Sequence, residues 1–254
     1  MAADGLCVYG IARAGAKLSP PPAGIEGRPV STLAAGPVAA LVSDAPEGPV
    51  KASRRNLMAH AGVLQHAVAE ACVLPMRFGM VMPDAAAVES ELLGEHEERL
   101  VAQLDAFEQL VEVDLKLVSP EDEELRAILA ERPDIAELRE RLKGQAPDAT
   151  YYERIQLGQM VAEAAEARRA AALTQVVGAL EPLTVETEVS DPAHEHMLVN
   201  VAFLAERARL AELDVVVREL STEMGESIRF KYVGPLPPYH FVETAPAAGS
   251  ASWA

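Results

Sequence analysis

Histidines, thiols and carboxylates are the side chains through which this chain could do chemistry, and their spacing limits what that chemistry is. His194 and His196 flank Glu195. On a strand the two imidazoles would share a face and could grip a metal, but no third ligand is identifiable, and histidines facing water explain the pair. His60 and His66 sit six residues apart on one expected helix, roughly 120° out of alignment, and do not form a pair. Neither Cys7 nor Cys72 has a histidine close in sequence, and no Gly-x-Ser-x-Gly elbow occurs. Nucleotide sites would leave a Gly-x-Gly-x-x-Gly fingerprint or a Walker lysine loop, and neither is present. The carboxylates are scattered with arginines in helix-face patterns, as on a solvated surface. No catalytic, metal-binding or cofactor-binding residue is therefore expected, and the chain does not read as an enzyme.

Two other runs stand out. In Met76-Arg77-Phe78-Gly79-Met80-Val81-Met82, methionines supply adaptable apolar surface suited to recognition. They would equally fill an alanine-rich core that is short of aromatics. Arg77 is expected to pair with a carboxylate and fix the local backbone, with a direct partner contact as the alternative. Met76, Arg77, Phe78, Met80 and Met82 are thus the candidate partner-binding residues. The second run is Tyr232-Val-Gly-Pro-Leu-Pro-Pro-Tyr-His-Phe-Val242. Gly234, Pro235, Pro237 and Pro238 fix its backbone, and Tyr239 and Phe241 carry rings. Proline removes a ladder donor, so the run is expected to leave the sheet after Val233 and pin the terminus across a surface.

The elements that must position these residues follow from pattern. Leu6–Ala12 reads as a buried strand, and 30–34 with 38–43 as a hairpin turning at Gly36-Pro37. Ser53 caps a helix running to about Ala71. Val73–Phe78 reads as a short strand. Asp84 opens a helical region that Gly94 interrupts and that resumes to about Phe107. Beyond it, 111–117 alternates as a strand, 151–180 forms a long alanine-rich helix, and 183–189 and 196–203 are strands. A helix at 206–222 and a strand at 228–233 complete a β-α-β-β-α-β order, the ferredoxin-like pattern. Its usual strand order, 4-1-3-2, would set Arg229 and Lys231 beside Glu112 and Asp114 on a solvated face. Residues 119–150 interrupt the pattern as a charged helical insertion, expected to be a solvated hairpin.

The expected fold is α+β with two domains. Residues 1–109 form an N-terminal α+β domain. Residues 110–242 form a ferredoxin-like domain with the insertion and the docked C-terminal run, and 243–254 form a flexible tail.

Composition bounds the function. Lys and Arg number 22 against 39 Asp and Glu, a net charge of −17. That field opposes nucleic acid and anionic membranes as default partners. Two cysteines make no disulfide framework. No leader or membrane span is evident, so the expected location is the reduced cytoplasm.

Val8-Tyr-Gly-Ile11, Val73-Leu-Pro-Met-Arg-Phe-Gly79 and the Gly234–Val242 run, with the strand His196–Phe203, together resemble the gas vesicle protein F/L family (GvpF/GvpL). The resemblance spans nearly the whole chain in order. It departs in the proline-rich loop at 19–29 and in the small-residue tail. It implies a non-enzymatic accessory protein of gas vesicle formation, located in the cytoplasm and at the gas vesicle. Its implied partners are the small hydrophobic shell protein and other accessory proteins. A ligand-binding regulatory module on a ferredoxin-like fold is the competing reading.

Overall fold

A computed structural model of the protein describes residues 5–242; the tail expected to be flexible lies outside them. The chain divides into two compact units. One takes the residues up to Val113, with Leu204–Ala208 and the run from Gly234; the other takes Asp114–Phe203 and Arg209–Val233.

The first unit is built on β1 (Leu6–Arg13). The hairpin β2 (Ser31–Ala35) and β3 (Val38–Asp44) lies on one side, turning at Gly36 with φ +58. The other edge is shared by two short strands, β4 (Val73–Pro75) and β5 (Val81–Met82). The order is β2-β3-β1-β4, and β1 also pairs with β5. Residues Cys7–Ala12 are all buried, so both faces of β1 are covered. Gly10 is required there, because a Cβ would meet Leu64 Cδ2 and Val73 Cγ2 at 2.8 Å and the Leu74 carbonyl at 2.9 Å.

Helix α1 (Arg54–Glu70) starts at Ser53, whose hydroxyl accepts from the Asn56 amide at 3.2 Å. It buries Asn56, His60, Val63, Leu64, Ala67 and Val68. Asp84 caps α2 (Ala85–Ala87), which runs into a π-helical stretch, Val88–Gly94, and then α3 (Glu97–Ala106). Val88, Leu92, Leu93, Leu100 and Leu104 from this series meet Val8, Ile11, Val38, Ala40, Val42 and Leu74 in one apolar cluster.

The second sheet has the order β7-β8-β6-β9, from β6 (Leu110–Val118), β7 (Glu186–Val189), β8 (Met197–Glu206) and β9 (Arg229–Leu236). This is the order expected from the pattern. Helix α6 (Tyr151–Leu180) precedes β7, and α7 (Leu210–Glu223) precedes β9. Strand β7 begins three residues later than expected, because Glu181–Leu183 around Pro182 form a 3-10 turn. Likewise Arg207–Arg209 form a turn before α7.

The insertion is two helices, α4 (Glu121–Glu131) and α5 (Pro133–Leu142). It is more than a solvated hairpin. Ile128 and Ile135 meet Ala164 of α6, with Leu157, Met160 and Val161 beside them. Arg168 of α6 donates to Glu124 at 2.9 Å and also to Glu131.

Two expected strand ends shift. The strand expected over Val73–Phe78 stops at Pro75, because Arg77 to Met80 form a turn with Gly79 at φ +83. Strand β9 does not stop at Val233 but continues to Leu236. It is an edge strand, where proline's missing N–H costs no ladder bond. Gly234 fits because a Cβ there would stand 2.5 Å from Val113 Cγ1.

Candidate interaction surface

The methionine-rich loop is held at both ends by β1. The Met76 amide donates to the Tyr9 carbonyl at 2.9 Å, and the Val8 amide donates to the Met80 carbonyl at 3.0 Å. Beneath it, Tyr9 is fully buried. Its hydroxyl shares a 2.8 Å bond with Ser43 Oγ and accepts from the Ile25 amide at 2.8 Å. The Tyr9 ring lies 5.3 Å from the His60 ring, which meets Phe78 edge-on at 5.7 Å. His60 Nε2 donates to the Met76 carbonyl at 3.1 Å. Burial pushes the His60 pKa down, partly offset by that bond.

This arrangement splits the candidate residues. Met76, Met80 and Met82 are half-buried against the apolar cluster of the first sheet, where they do what core-filling methionines do. Phe78 packs instead on His60 of α1. Arg77 is exposed and pairs with no described carboxylate, contrary to expectation. Val81 within the loop is a large exposed apolar side chain, as are Leu57 and Met58 on α1.

The C-terminal run is docked within the same unit. Pro237 and Pro238 are buried, Pro235 and Phe241 half-buried, Gly234 and Tyr239 exposed, and Val242 packs against the apolar cluster. Glu112 of β6 is completely buried, not on a solvated face. Its carboxylate accepts the His240 amide at 2.9 Å and His240 Nδ1 at 2.8 Å. Arg229 and Lys231 are exposed, and Asp114 pairs with Lys116 at 3.7 Å. Sequence reading missed both Glu112–His240 and His60–Met76. The available signal was one carboxylate inside an alternating strand and one histidine on the apolar face of α1.

The one described group of metal-type ligands within 4.8 Å of one another is Glu112, Asp114 and His240; Glu112 and His240 bond each other, and Asp114 reaches Lys116 through Oδ2 while its Oδ1 has no hydrogen-bond partner. His194 and His196 lie in the turn before β8, rings 6.0 Å apart, rather than on a strand. Burial pushes the Cys72 thiol up to about 11 and raises Cys7, which leaves both poor nucleophiles. Among the described residues no helix is long and apolar enough to cross a membrane.

The described residues form a mixed α/β chain with two antiparallel sheets. The chain matches the family profile described as "Gas vesicle synthesis protein GvpL/GvpF" over residues 5–243. It is 37% identical over 239 residues to gas vesicle protein F of Streptomyces sp. (strain CB03234), covering 93% of this chain and 98% of that protein. Gas vesicle protein F of Dolichospermum flosaquae is 28% identical over 222 residues, 87% of this chain and 90% of its own length. The crystal structure of GvpF from Anabaena sp. PCC7120 superposes with a TM-score of 0.80 at 26% identity, over 96% of this chain and all of that one. That of GvpF from Microcystis aeruginosa gives 0.76 at 25% identity, over 95% of this chain and all of its own. The chain belongs to the GvpL/GvpF family of gas vesicle synthesis proteins.

Proposed function

We propose that this protein is a non-catalytic assembly factor of gas vesicles that binds the small hydrophobic shell protein, acting in the cytoplasm and at the growing vesicle. The observation that carries this reading is the match to gas vesicle protein F along nearly the entire chain. A shell subunit that exposes a large apolar area before assembly aggregates. A binder with a net charge of −17 that covers such an area keeps it dispersed. The loop from Met76 to Met82, with Arg77, Phe78 and exposed Val81, is the first contact region assigned to this role. We read the second unit as ferredoxin-like, with a domain division near residue 110 and the insertion at 119–150; its strand order supports this. The rival ligand-binding reading needs an enclosed pocket, whereas the cavity beside Ala12, Leu41 and Val73 is about 10 Å³, the size of one water, and the larger space of about 430 Å³ beside Val215, Arg218 and Thr222 of α7 lies open to solvent.

Co-expression with the shell protein, followed by affinity capture and a solubility assay, tests the reading. Capture with more soluble shell protein is expected. A folded protein that captures nothing while the shell protein aggregates as before would refute direct binding.

A further inference from the structure

Charge is divided unevenly along this chain. Residues 1–83 hold seven Lys and Arg against five Asp and Glu, whereas residues 84–254 hold 15 against 34. Three of the seven cations, Lys51, Arg54 and Arg55, gather where α1 begins; all are exposed, and none pairs with a described carboxylate. The first turn of α1 contains no acidic residue, although the helix dipole favours anions there and disfavours cations. These cations therefore do not serve the helix that carries them.

The same face is apolar. At 100° per residue, Arg54, Leu57, Met58, Ala61 and Gln65 fall in one stripe of α1. All five are exposed, Leu57 at 44% and Met58 at 65%. The opposite side is the one buried through His60, Val63, Leu64 and Ala67. Two adjacent large apolar side chains are thus left in water, framed by unneutralised cations, on a chain that is otherwise strongly acidic.

We propose that the outer face of α1 docks an acidic, amphipathic segment of a partner protein. The carboxylates of the segment would reach Lys51, Arg54 and Arg55 while an apolar side chain covers Leu57 and Met58. Charge complementarity selects this occupant. Nucleic acid or an anionic bilayer extends its charge far beyond the patch and meets the repulsion of the acidic remainder. A short segment stays on the patch, within about one 10 Å screening length. The inference deepens the assembly reading, on which it rests only for which vesicle protein supplies the segment.

The test uses the full chain and a synthetic helical peptide with leucine on one face and glutamate on the other, with binding followed by fluorescence anisotropy. The peptide is expected to bind the wild type and weaken as salt is raised. Arg54→Glu with Arg55→Glu should weaken it about tenfold or more, Met58→Asp should weaken it too, and Arg54→Lys with Arg55→Lys should largely preserve it. All these sites are exposed, so an unchanged melting temperature checks the fold. A lysine version of the peptide, drawn to the acidic remainder, should not respond to the Arg54→Glu, Arg55→Glu change. No binding of the glutamate peptide, or equal binding to the charge-reversed variant, overturns the proposal. Two further results also overturn it: binding of phosphatidylglycerol vesicles in place of the peptide, and salt-sensitive self-association that the charge reversal abolishes. The first would give the face to lipid, the second to another copy of this chain. If the wild type binds the peptide but never captures the shell protein, the assembly reading fails and this one stands.

Discussion

The carboxylate of Glu112, fully buried on β6, receives two donors from one residue of the C-terminal run, the amide of His240 at 2.9 Å and its Nδ1 at 2.8 Å. With the carboxylate ionised it can only accept, and the bond then selects the Nδ1–H form of the ring. Together with buried Pro237 and Pro238 and the seating of Val242, it turns a proline-rich terminus into a strap on the first unit.

Truncation after Val233 should therefore destabilise the protein. It removes both donors from a buried carboxyl and uncovers part of an apolar cluster. A loss of about 3–5 kcal/mol is expected, which for a chain of this size lowers Tm by roughly 10 °C. A melting temperature equal to that of the full chain would show that the strap contributes nothing.

His60 makes stability depend on pH. Its folded pKa lies below the ordinary value of 6.5 because burial disfavours the imidazolium. Between those two values the unfolded chain binds the proton and the folded chain does not. Stability is then full above about pH 6.5 and falls as pH drops from there towards the folded pKa. Denaturant titrations at a series of pH values should show this slope in the wild type. His60→Phe should flatten it; an identical slope in both proteins would exclude His60 as its source.

Two glycines should respond oppositely to alanine. At Gly234 the new methyl would stand 2.5 Å from Val113 Cγ1, and forcing atoms into a packed site costs about 1–3 kcal/mol. At Gly158, inside α6, nothing lies within 4 Å, and Gly→Ala in a helix interior gains roughly 0.5–1 kcal/mol. Urea unfolding of the two variants measures both signs.

Arg168 should govern the insertion alone. Its side chain links Glu124 and Glu131 to α6, beside the Ile128–Ile135–Ala164 contact. With Arg168→Ala, amide hydrogen exchange is expected to accelerate in α4 and α5 by about tenfold, the equivalent of roughly 1.4 kcal/mol. Exchange in β1 and β3 should not change. Uniform acceleration across the chain would show that the insertion opens only when everything does.

Where local physics is sufficient, the elements lie close to their expected places. Helix α6 runs from Tyr151 to Leu180 as its pattern requires, since alanine propensity and the following proline act within a few residues. The Ser53 cap and the Gly36 turn are local in the same sense. The candidate loop was legible only as a cluster of types. Residue types alone left open whether Met76, Met80 and Met82 face a partner or the core, and they lie half-buried against the core because α3 and the π-helical stretch cover that face of the sheet.

What the chain determined by itself was therefore the order of its elements, its acidity and its family. Periodicity, capping and charge are properties of neighbouring residues. Tertiary structure alone decided that β9 runs on through Gly234 and Pro235 to Leu236. Only the edge position and the nearness of Val113 make a proline admissible and a glycine necessary there. It also decided that a glutamate in mid-strand is fully buried, because its partner, His240, lies 128 residues away. Pairings across such distances depend on how sheets and termini close, and no short-range pattern records that.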